Sequence, residues 1–146
     1  MGMCLCNDRR WPETWRVMGM QDVDLVMLGY NTPVYNSVAS ESPHLRMFHN
    51  HISMQAGAYQ NGTWAVGTAK AGMEGGVDMM AGSCIIAPTG EIVALATTAE
   101  DEVIVAECDL DRGRYIRDTV FNFAQHRRIE NYGLITERNE AITPPE

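Results

Sequence analysis

Short apolar runs separated by turn-forming residues recur along this chain and predict a β-sheet. A buried strand reads as a brief run of apolar residues bounded by polar or glycine-containing segments. The runs that meet this description are residues 2–6, 24–28, 64–68, 83–87, 91–96 and 103–107. Pro88-Thr89-Gly90 separates the fourth and fifth runs, so these two are expected to form a hairpin.

Apolar residues at helical spacing predict two helices between these strands. Pro12 suits the first turn of a helix over residues 12–21, in which Trp11, Trp15 and Met18 form one apolar stripe. Ser42 is a cap for a longer helix that runs to about residue 60 and stops at Asn61-Gly62. The predicted buried face of this longer helix consists of Leu45, Phe48, Ile52, Ala56 and Tyr59.

The remaining segments lack a clear period. We expect a loop over residues 30–43, a glycine-rich loop over 71–82 and a short helix over 111–117. The tail, residues 122–146, is expected to run extended over another surface.

Strands that first alternate with helices and then form a hairpin indicate an α/β or layered α+β fold with a mixed sheet. No internal boundary is evident, so residues 1–146 are treated as one partial domain. The first strand is apolar enough for the middle of a sheet, although no residue precedes it.

Composition excludes several functional classes. A formal net charge of −8, with no basic tract, argues against nucleic acid as a partner. No apolar run reaches the roughly 18 residues of a membrane span, so a cytoplasmic location is expected. Cys4, Cys6, Cys84 and Cys108 are expected to be free thiols, and their spacing with the histidines predicts no metal site.

Cys6 is the candidate with the clearest chemistry. It ends an apolar run and is followed by Asn7-Asp8-Arg9-Arg10, which is too polar to continue a buried strand. The chain must therefore emerge at the carboxyl end of a strand, where ligand sites of α/β proteins form. A thiol there, beside a helix start and two guanidinium groups, is typical of a nucleophile. The alternative interpretation is a buried core cysteine.

Other polar residues have two interpretations each. Arg9 and Arg10 either bind a substrate carboxylate or pair with acidic neighbours at the surface. Asn31 and Thr32, after the second strand, either contact substrate or form a turn before Pro33. Structural roles are expected for His49 and His51, and Lys70 is expected to be a solvated residue at the end of a strand. The glycine-rich loop lacks the strand–loop–helix setting and the basic residue of a phosphate-binding loop.

These segments resemble the carbon–nitrogen hydrolase (nitrilase) superfamily, and within it the N-carbamoyl-D-amino acid amidohydrolases. The resemblance rests on Cys6-Asn7-Asp8-Arg9-Arg10-Trp11-Pro12-Glu13 and on Gly29-Tyr30-Asn31-Thr32-Pro33. It continues through residues 54–62, 83–93, 121–123 and 132–135. It implies the C-terminal half of an α-β-β-α sandwich that packs into homo-oligomers.

The resemblance also implies a chemistry that needs no cofactor. Cys6 matches the nucleophile, and the backbone N–H of Asn7 matches part of the oxyanion site. Arg9 and Arg10 match residues that hold the carboxylate of an N-carbamoyl-D-amino acid. Asn31 and Thr32 match residues of the substrate pocket.

The family's general-base Glu and its Lys lie N-terminal to the nucleophile, and nothing in this chain matches them. We therefore expect a C-terminal half that supplies the nucleophile but is inactive alone. The alternatives are another amidase of the superfamily or a non-catalytic assembly or binding module that retains the fold.

Overall fold

The computed structural model describes residues 1–35 and 40–142, which form a mixed α/β structure. The strands are β1 (Gly2–Leu5), β2 (Leu25–Tyr30), β3 (Trp64–Ala69), β4 (Ala71–Glu74), β5 (Val77–Met80), β6 (Cys84–Ile86) and β7 (Ile92–Leu95). The α-helices are α1 (Pro12–Met20), α2 (Pro43–Asn61), α3 (Arg114–Asp118), α4 (Phe123–His126) and α5 (Gly133–Glu137). Short 3₁₀ turns cover Cys6–Arg10, Leu110–Gly113 and Ile129–Asn131.

Five strands form one sheet in the order β1-β2-β3-β6-β7. The first three are parallel, whereas β6 and β7 are antiparallel to their neighbours. The expected mixed sheet and its hairpin are thus confirmed. Because β1, β2 and β3 are parallel, their carboxyl ends meet at one edge of the sheet, which we call the carboxyl rim.

Strand β1 lies at the edge of this sheet, not in its middle. Its odd-numbered side chains, Met1, Met3 and Leu5, are 83%, 79% and 69% exposed. Cys4 instead packs against the main core, and so does Cys6, which follows the strand. The apolar character of the strand therefore reflects one covered face and one open face.

The main core fills the space between the sheet and helices α1 and α2. Its largest members include Trp15, Tyr30 and Met54. The caps predicted for α2 are confirmed, because the Ser42 side chain accepts a hydrogen bond from the Leu45 N–H and Gly62 ends the helix with φ +57°.

The predicted buried face of α2 is wrong. Leu45, Phe48, Ile52 and Tyr59 are 40–51% exposed. The buried residues of α2 are instead Arg46, Asn50, Met54, Gly57, Ala58 and Asn61. Asn50 can be buried on this face because it accepts from Arg9 Nε and donates to the Tyr30 hydroxyl, and these hydrogen bonds offset the cost of burying its amide.

The predicted glycine-rich loop is in fact a β-hairpin of β4 and β5. Gly75 and Gly76 both have positive φ, at +58° and +82°. Two such residues form the tight turn that suits the twist of paired strands. The glycines therefore provide the turn of a hairpin.

The run predicted as a strand at residues 103–107 is extended but forms no ladder. Ile104 and Ala106 pack on the second core cluster around Trp64, whereas Val103 and Val105 are 89% and 82% exposed. The alternation of packed and exposed side chains therefore reflects packing on the second core cluster and not strand pairing.

Residues 111–117 fall within a 3₁₀ turn and α3, as expected. The prediction that the tail, residues 122–146, runs extended is wrong, because α4 and α5 lie within it.

Candidate active site

Cys6 lies directly after β1, as the first residue of the 3₁₀ turn Cys6–Arg10. Its φ is +49°, in the left-handed region that residues other than glycine rarely adopt. A hydrogen bond from the Leu5 N–H to the Asp8 carboxylate, at 3.1 Å, stabilises the turn. The half-buried cysteine thus ends its strand at the carboxyl rim in a constrained conformation.

Arg9 points into the protein, with an exposure of 1%. Its Nη1 donates to the carbonyl oxygen of Cys6 at 2.5 Å, and its Nε donates to Asn50 Oδ1 at 2.8 Å. Its Nη2 donates to Thr32 Oγ1 at 3.0 Å. All three guanidinium nitrogens therefore have acceptors within the chain.

Two aromatic residues complete the surroundings of Arg9. The guanidinium carbon lies 4.0 Å from the centroid of the Tyr30 ring, a cation–π contact. The indole N–H of Trp15 donates to the Arg9 carbonyl oxygen at 2.8 Å. Asn50 Nδ2 donates to the Tyr30 hydroxyl at 3.1 Å, which in turn donates to the Gly82 carbonyl oxygen at 3.3 Å. Arg9 therefore belongs to a buried network that joins β2, α1 and α2.

The other predicted site residues divide by exposure. Thr32 is buried as an acceptor for Arg9, whereas Asn7, Arg10 and Asn31 are exposed. The carboxyl rim thus brings Cys6 together with residues from the end of β2. Of the two adjacent arginines, Arg10 is the one accessible to a ligand.

Burial sets the electrostatics around this network. It lowers the pKa of Arg9, and the neighbouring Tyr30 and Cys6 oppose that effect. Burial also raises the pKa of Tyr30 and of Cys84, each to about 12. The pKa of the Cys4 thiol is raised by burial and by Asp8, whereas Arg9 acts to lower it. Arg9 is therefore a buried cation close to several thiols.

His51 shares the Gly82 carbonyl oxygen with this network, whereas His49 and Lys70 have no hydrogen bond to it among the described residues. His49 pairs with Glu41, and His51 is 3.2 Å from the Gly82 carbonyl oxygen. Lys70 is exposed just beyond the end of β3. Within residues 1–35 and 40–142, no group of three or more His, Cys, Asp or Glu could hold a metal ion, and no helix is long and apolar enough to cross a membrane.

One cavity lies away from Cys6. It has a volume of about 570 Å³ and lies between α1 and the C-terminal segment, with Arg16, Phe123 and Tyr132 among its lining residues. A second, of about 390 Å³, lies beside Lys70 and Ser83. Cys6 is not among the residues that line either of these two cavities.

Sequence reasoning missed Asn50 and Tyr30. Asn50 is fully buried on α2, four residues before Met54 and eight before Ala58. A polar residue in that i, i+4 series was the available signal, because a buried amide needs a specific partner. Tyr30 was assigned to a loop although it is the last residue of β2.

Curated relatives match most of the chain at low identity. A nitrilase from Pyrococcus abyssi is 26% identical over 132 residues, which are 90% of this chain and 45% of that protein. A probable nitrilase from Schizosaccharomyces pombe is 24% identical over the same shares of the two chains. The chain thus spans about half the length of the curated relatives that it matches.

Solved structures show the same fold. A carbon–nitrogen hydrolase from Helicobacter pylori matches with a TM-score of 0.80 and 23% identity, over 93% of this chain and 48% of that chain. An amidase from Nesterenkonia, with an acetamide moiety added covalently at its active-site cysteine, matches with a TM-score of 0.62 and 20% identity. That match covers 86% of this chain and 43% of the amidase. The fold is therefore consistent with an α-β-β-α sandwich.

The family model for carbon–nitrogen hydrolases matches residues 1–118, which include the whole five-stranded sheet, α1, α2 and the turn that carries Cys6. This chain therefore belongs to the carbon–nitrogen hydrolase family.

Proposed function

We propose that this chain carries the nucleophile of an amidohydrolase that acts on N-carbamoyl-D-amino acids. The observation that supports this most strongly is Cys6, held at φ +49° where β1 ends at the carboxyl rim. Non-glycine residues in this conformation cluster at functional sites, because the surrounding structure must hold them there. A core cysteine in a regular strand would need no such conformation.

The proposed reaction has two stages. The Cys6 thiolate attacks the ureido carbon to form a tetrahedral intermediate, whose terminal amino group takes up a proton and leaves as ammonia. The amino acid then stays bound to sulfur through its N-carbonyl group, as a thiocarbamate. Water then attacks that carbon, the sulfur leaves, and the released carbamate breaks down to carbon dioxide and the D-amino acid. The backbone N–H of Asn7 is the proposed donor to the developing oxyanion.

Arg10 is the proposed ligand for the substrate carboxylate. It is exposed in the same turn as Cys6, and a guanidinium group binds a carboxylate through two parallel hydrogen bonds. Arg9 was expected to share this role, and Thr32 to contact substrate in the pocket. Their mutual hydrogen bond and burial favour a supporting role instead.

The catalytic Glu and Lys are proposed to come from a second layer packed on the open face of the sheet. Met1, Met3 and Leu5 leave a strongly exposed apolar face on β1. Contiguous exposed apolar surface of this kind usually marks a contact with another element. The chain's match to about half the length of its relatives supports the same proposal.

Ammonia release tests the reaction. The chain alone is expected to release no more ammonia from an N-carbamoyl-D-amino acid than its Cys6→Ala variant. A form extended at the N-terminus by the layer that carries the Glu and Lys is expected to release it only when Cys6 is intact. Turnover that survives Cys6→Ala in the extended form would refute the nucleophile, and turnover by the chain alone would refute the need for a second layer.

Protection of Cys6 from iodoacetamide tests the substrate class without turnover. An N-carbamoyl-D-amino acid is expected to slow alkylation, whereas the matching N-carbamoyl-D-amino acid amide, which lacks the carboxylate, is not. The protection should disappear in Arg10→Gln, because that variant removes the proposed carboxylate partner. Equal protection by both compounds would refute carboxylate recognition and favour a simple amide substrate.

A general amidase is the second candidate function. The structural similarity to an amidase modified at its active-site cysteine favours this class of reaction. Release of ammonia from simple amides but not from N-carbamoyl-D-amino acids would support it. A non-catalytic module would instead show no Cys6-dependent turnover in any form.

A further inference from the structure

We propose that Arg9 is a positioning residue that orients the Cys6–Asn7 peptide group and thereby aims the Asn7 N–H at the reacting carbonyl. This inference rests on the proposed function, in which Cys6 is the nucleophile and the Asn7 N–H is an oxyanion donor. It gives Arg9 a role distinct from binding the substrate carboxylate.

The argument begins with the carbonyl oxygen of Cys6. This oxygen accepts from Arg9 Nη1 at 2.5 Å, so it points toward the buried guanidinium group. A trans peptide is planar, and its C=O and N–H point in opposite directions. The structure contains no cis peptide among its described residues. With the Cys6 carbonyl held inward, the Asn7 N–H must point away from Arg9.

The guanidinium group is itself fixed in place. Nε donates to Asn50 on α2 and Nη2 donates to Thr32 beyond β2, 41 and 23 residues away in sequence. The ring of Tyr30 lies against the guanidinium plane at 4.0 Å from the centroid. A planar fork with three acceptors has little rotational freedom, so the orientation of the peptide is set by the core.

The backbone of Arg9 is also held. The indole of Trp15 donates to the Arg9 carbonyl oxygen at 2.8 Å, and Trp15 is 2% exposed. Both ends of Arg9 are thus anchored to the helical layer. This arrangement explains how Cys6 keeps a left-handed conformation, which persists only where surrounding contacts impose it.

Carboxylate binding by Arg9 is incompatible with these contacts. A substrate would have to enter a position with 1% exposure and displace Asn50, Thr32 or the Cys6 carbonyl from the guanidinium group. Arg10 is exposed and one residue away. The two adjacent arginines therefore have different functions.

Two reactions of Cys6 in the full chain distinguish a role of Arg9 in orienting the Asn7 N–H from a role in maintaining the fold. Acylation by p-nitrophenyl acetate passes through an oxyanion and needs the N–H donor, whereas alkylation by iodoacetamide does not. Rates at each cysteine are measured by mass spectrometry, with Cys6→Ala as the background. Cys84, which is fully buried, serves as an internal reporter because it becomes alkylated only if the core opens.

Arg9→Met is expected to lower the acylation rate by about tenfold or more, since the loss of one oxyanion donor typically costs ~10²–10³-fold. Alkylation of Cys6 should change less than acylation, and Cys84 should stay protected. Thr32→Val, which removes one anchor at similar volume, should lower acylation by a smaller factor. Arg114→Met is the charge-matched control, because Arg114 is 72% exposed and paired with Asp111. It should leave both rates unchanged.

Three results would overturn the proposal. Acylation that is unaffected by Arg9→Met and Thr32→Val would show that neither residue orients the donor. Equal losses in acylation and alkylation, together with exposure of Cys84, would show that Arg9 only maintains the fold. Absence of Cys6-dependent acylation in the unaltered protein, while iodoacetamide still alkylates Cys6, would show that the Asn7 N–H stabilises no oxyanion here and would refute the positioning role. The nucleophile itself is tested separately, by ammonia release from the extended form.

Discussion

Substitution of Gly57 by Ala tests the packing that supports the site. Gly57 lies on the buried face of α2, where the Trp15 indole packs directly on it. A Cβ added at this position would lie 2.3 Å, 2.4 Å and 2.7 Å from three atoms of the indole. Real contacts essentially never fall below 3.0 Å, so Trp15 must move by about 1 Å.

This movement carries two costs and one gain. Overpacking a core typically costs about 1–3 kcal/mol. Displacing Trp15 also stretches its hydrogen bond to the Arg9 carbonyl, and a buried group left without a partner costs about 1–3 kcal/mol. Ala is favoured over Gly in a helix by about 1 kcal/mol. We therefore expect Gly57→Ala to lower the free energy of unfolding by about 3 kcal/mol.

Urea unfolding followed by far-UV circular dichroism measures this loss. With a slope of about 2 kcal/mol per molar urea, the midpoint should fall by about 1.5 M. Gly29→Ala is the matched control, because its added Cβ meets no atom within 4 Å. Its midpoint should stay close to that of the unaltered chain.

A double-mutant cycle identifies the indole as the cause. In a Trp15→Leu background the clash is absent, so Gly57→Ala should become neutral or slightly stabilising. The same loss in both backgrounds would refute the reasoning. A midpoint that does not move in the Trp15 background would refute it as well.

Three further predictions concern stability. The contribution of Cys84 and Tyr30 to the free energy of unfolding should be complete below pH 9 and should fall as the pH rises toward 12. The reason is that the folded chain holds the pKa of each group at about 12, against ordinary values of 9.0 and 10.0. Urea midpoints that stay constant from pH 8 to pH 11 would contradict this. Arg117→Met should lower the free energy of unfolding by about 1 kcal/mol, because Arg117 contacts two aspartates at 2.5 Å and 2.6 Å. The loss should shrink in 1 M NaCl, since salt screens these contacts. A loss independent of salt would argue against an electrostatic origin. Gly62→Ala should destabilise the protein more than Gly75→Ala. Both glycines have positive φ, but of the two only Gly62 would bring its added Cβ close to a backbone carbonyl oxygen, at 2.8 Å. Thermal unfolding of the two variants compares them, and equal losses would show that φ alone matters.

The sequence predicted much of the local structure because the relevant signals are local. Apolar runs located β1, β2, β3 and the hairpin of β6 and β7. Ser42 and Gly62 marked the ends of α2 through capping preferences that act within a few residues. Cys6 was located by the change from apolar to polar residues at the end of a strand. The family, too, was recognisable from short motifs.

Burial was harder to predict, because it depends on partners that are distant in the chain. The apolar pattern of α2 favoured the wrong face, since Asn50 is buried where the turn and β2 provide partners in Arg9 and Tyr30. The residues at 71–82 were expected to form a loop because glycine is common in both loops and tight turns. Only the pairing of β4 with β5 distinguishes the two.

The sequence by itself determined the position of Cys6, the proposed nucleophile, at the end of a strand and the elements around it, because strand periodicity and helix caps depend on neighbouring residues. The tertiary structure alone decided which of two adjacent arginines enters the core. Arg9 and Arg10 have the same side chain, and no local signal separates them. The choice depends on acceptors from Asn50 and Thr32, which become available only when α2 and β2 pack beside the turn. A buried guanidinium group is stable only with such partners, so packing determines its position.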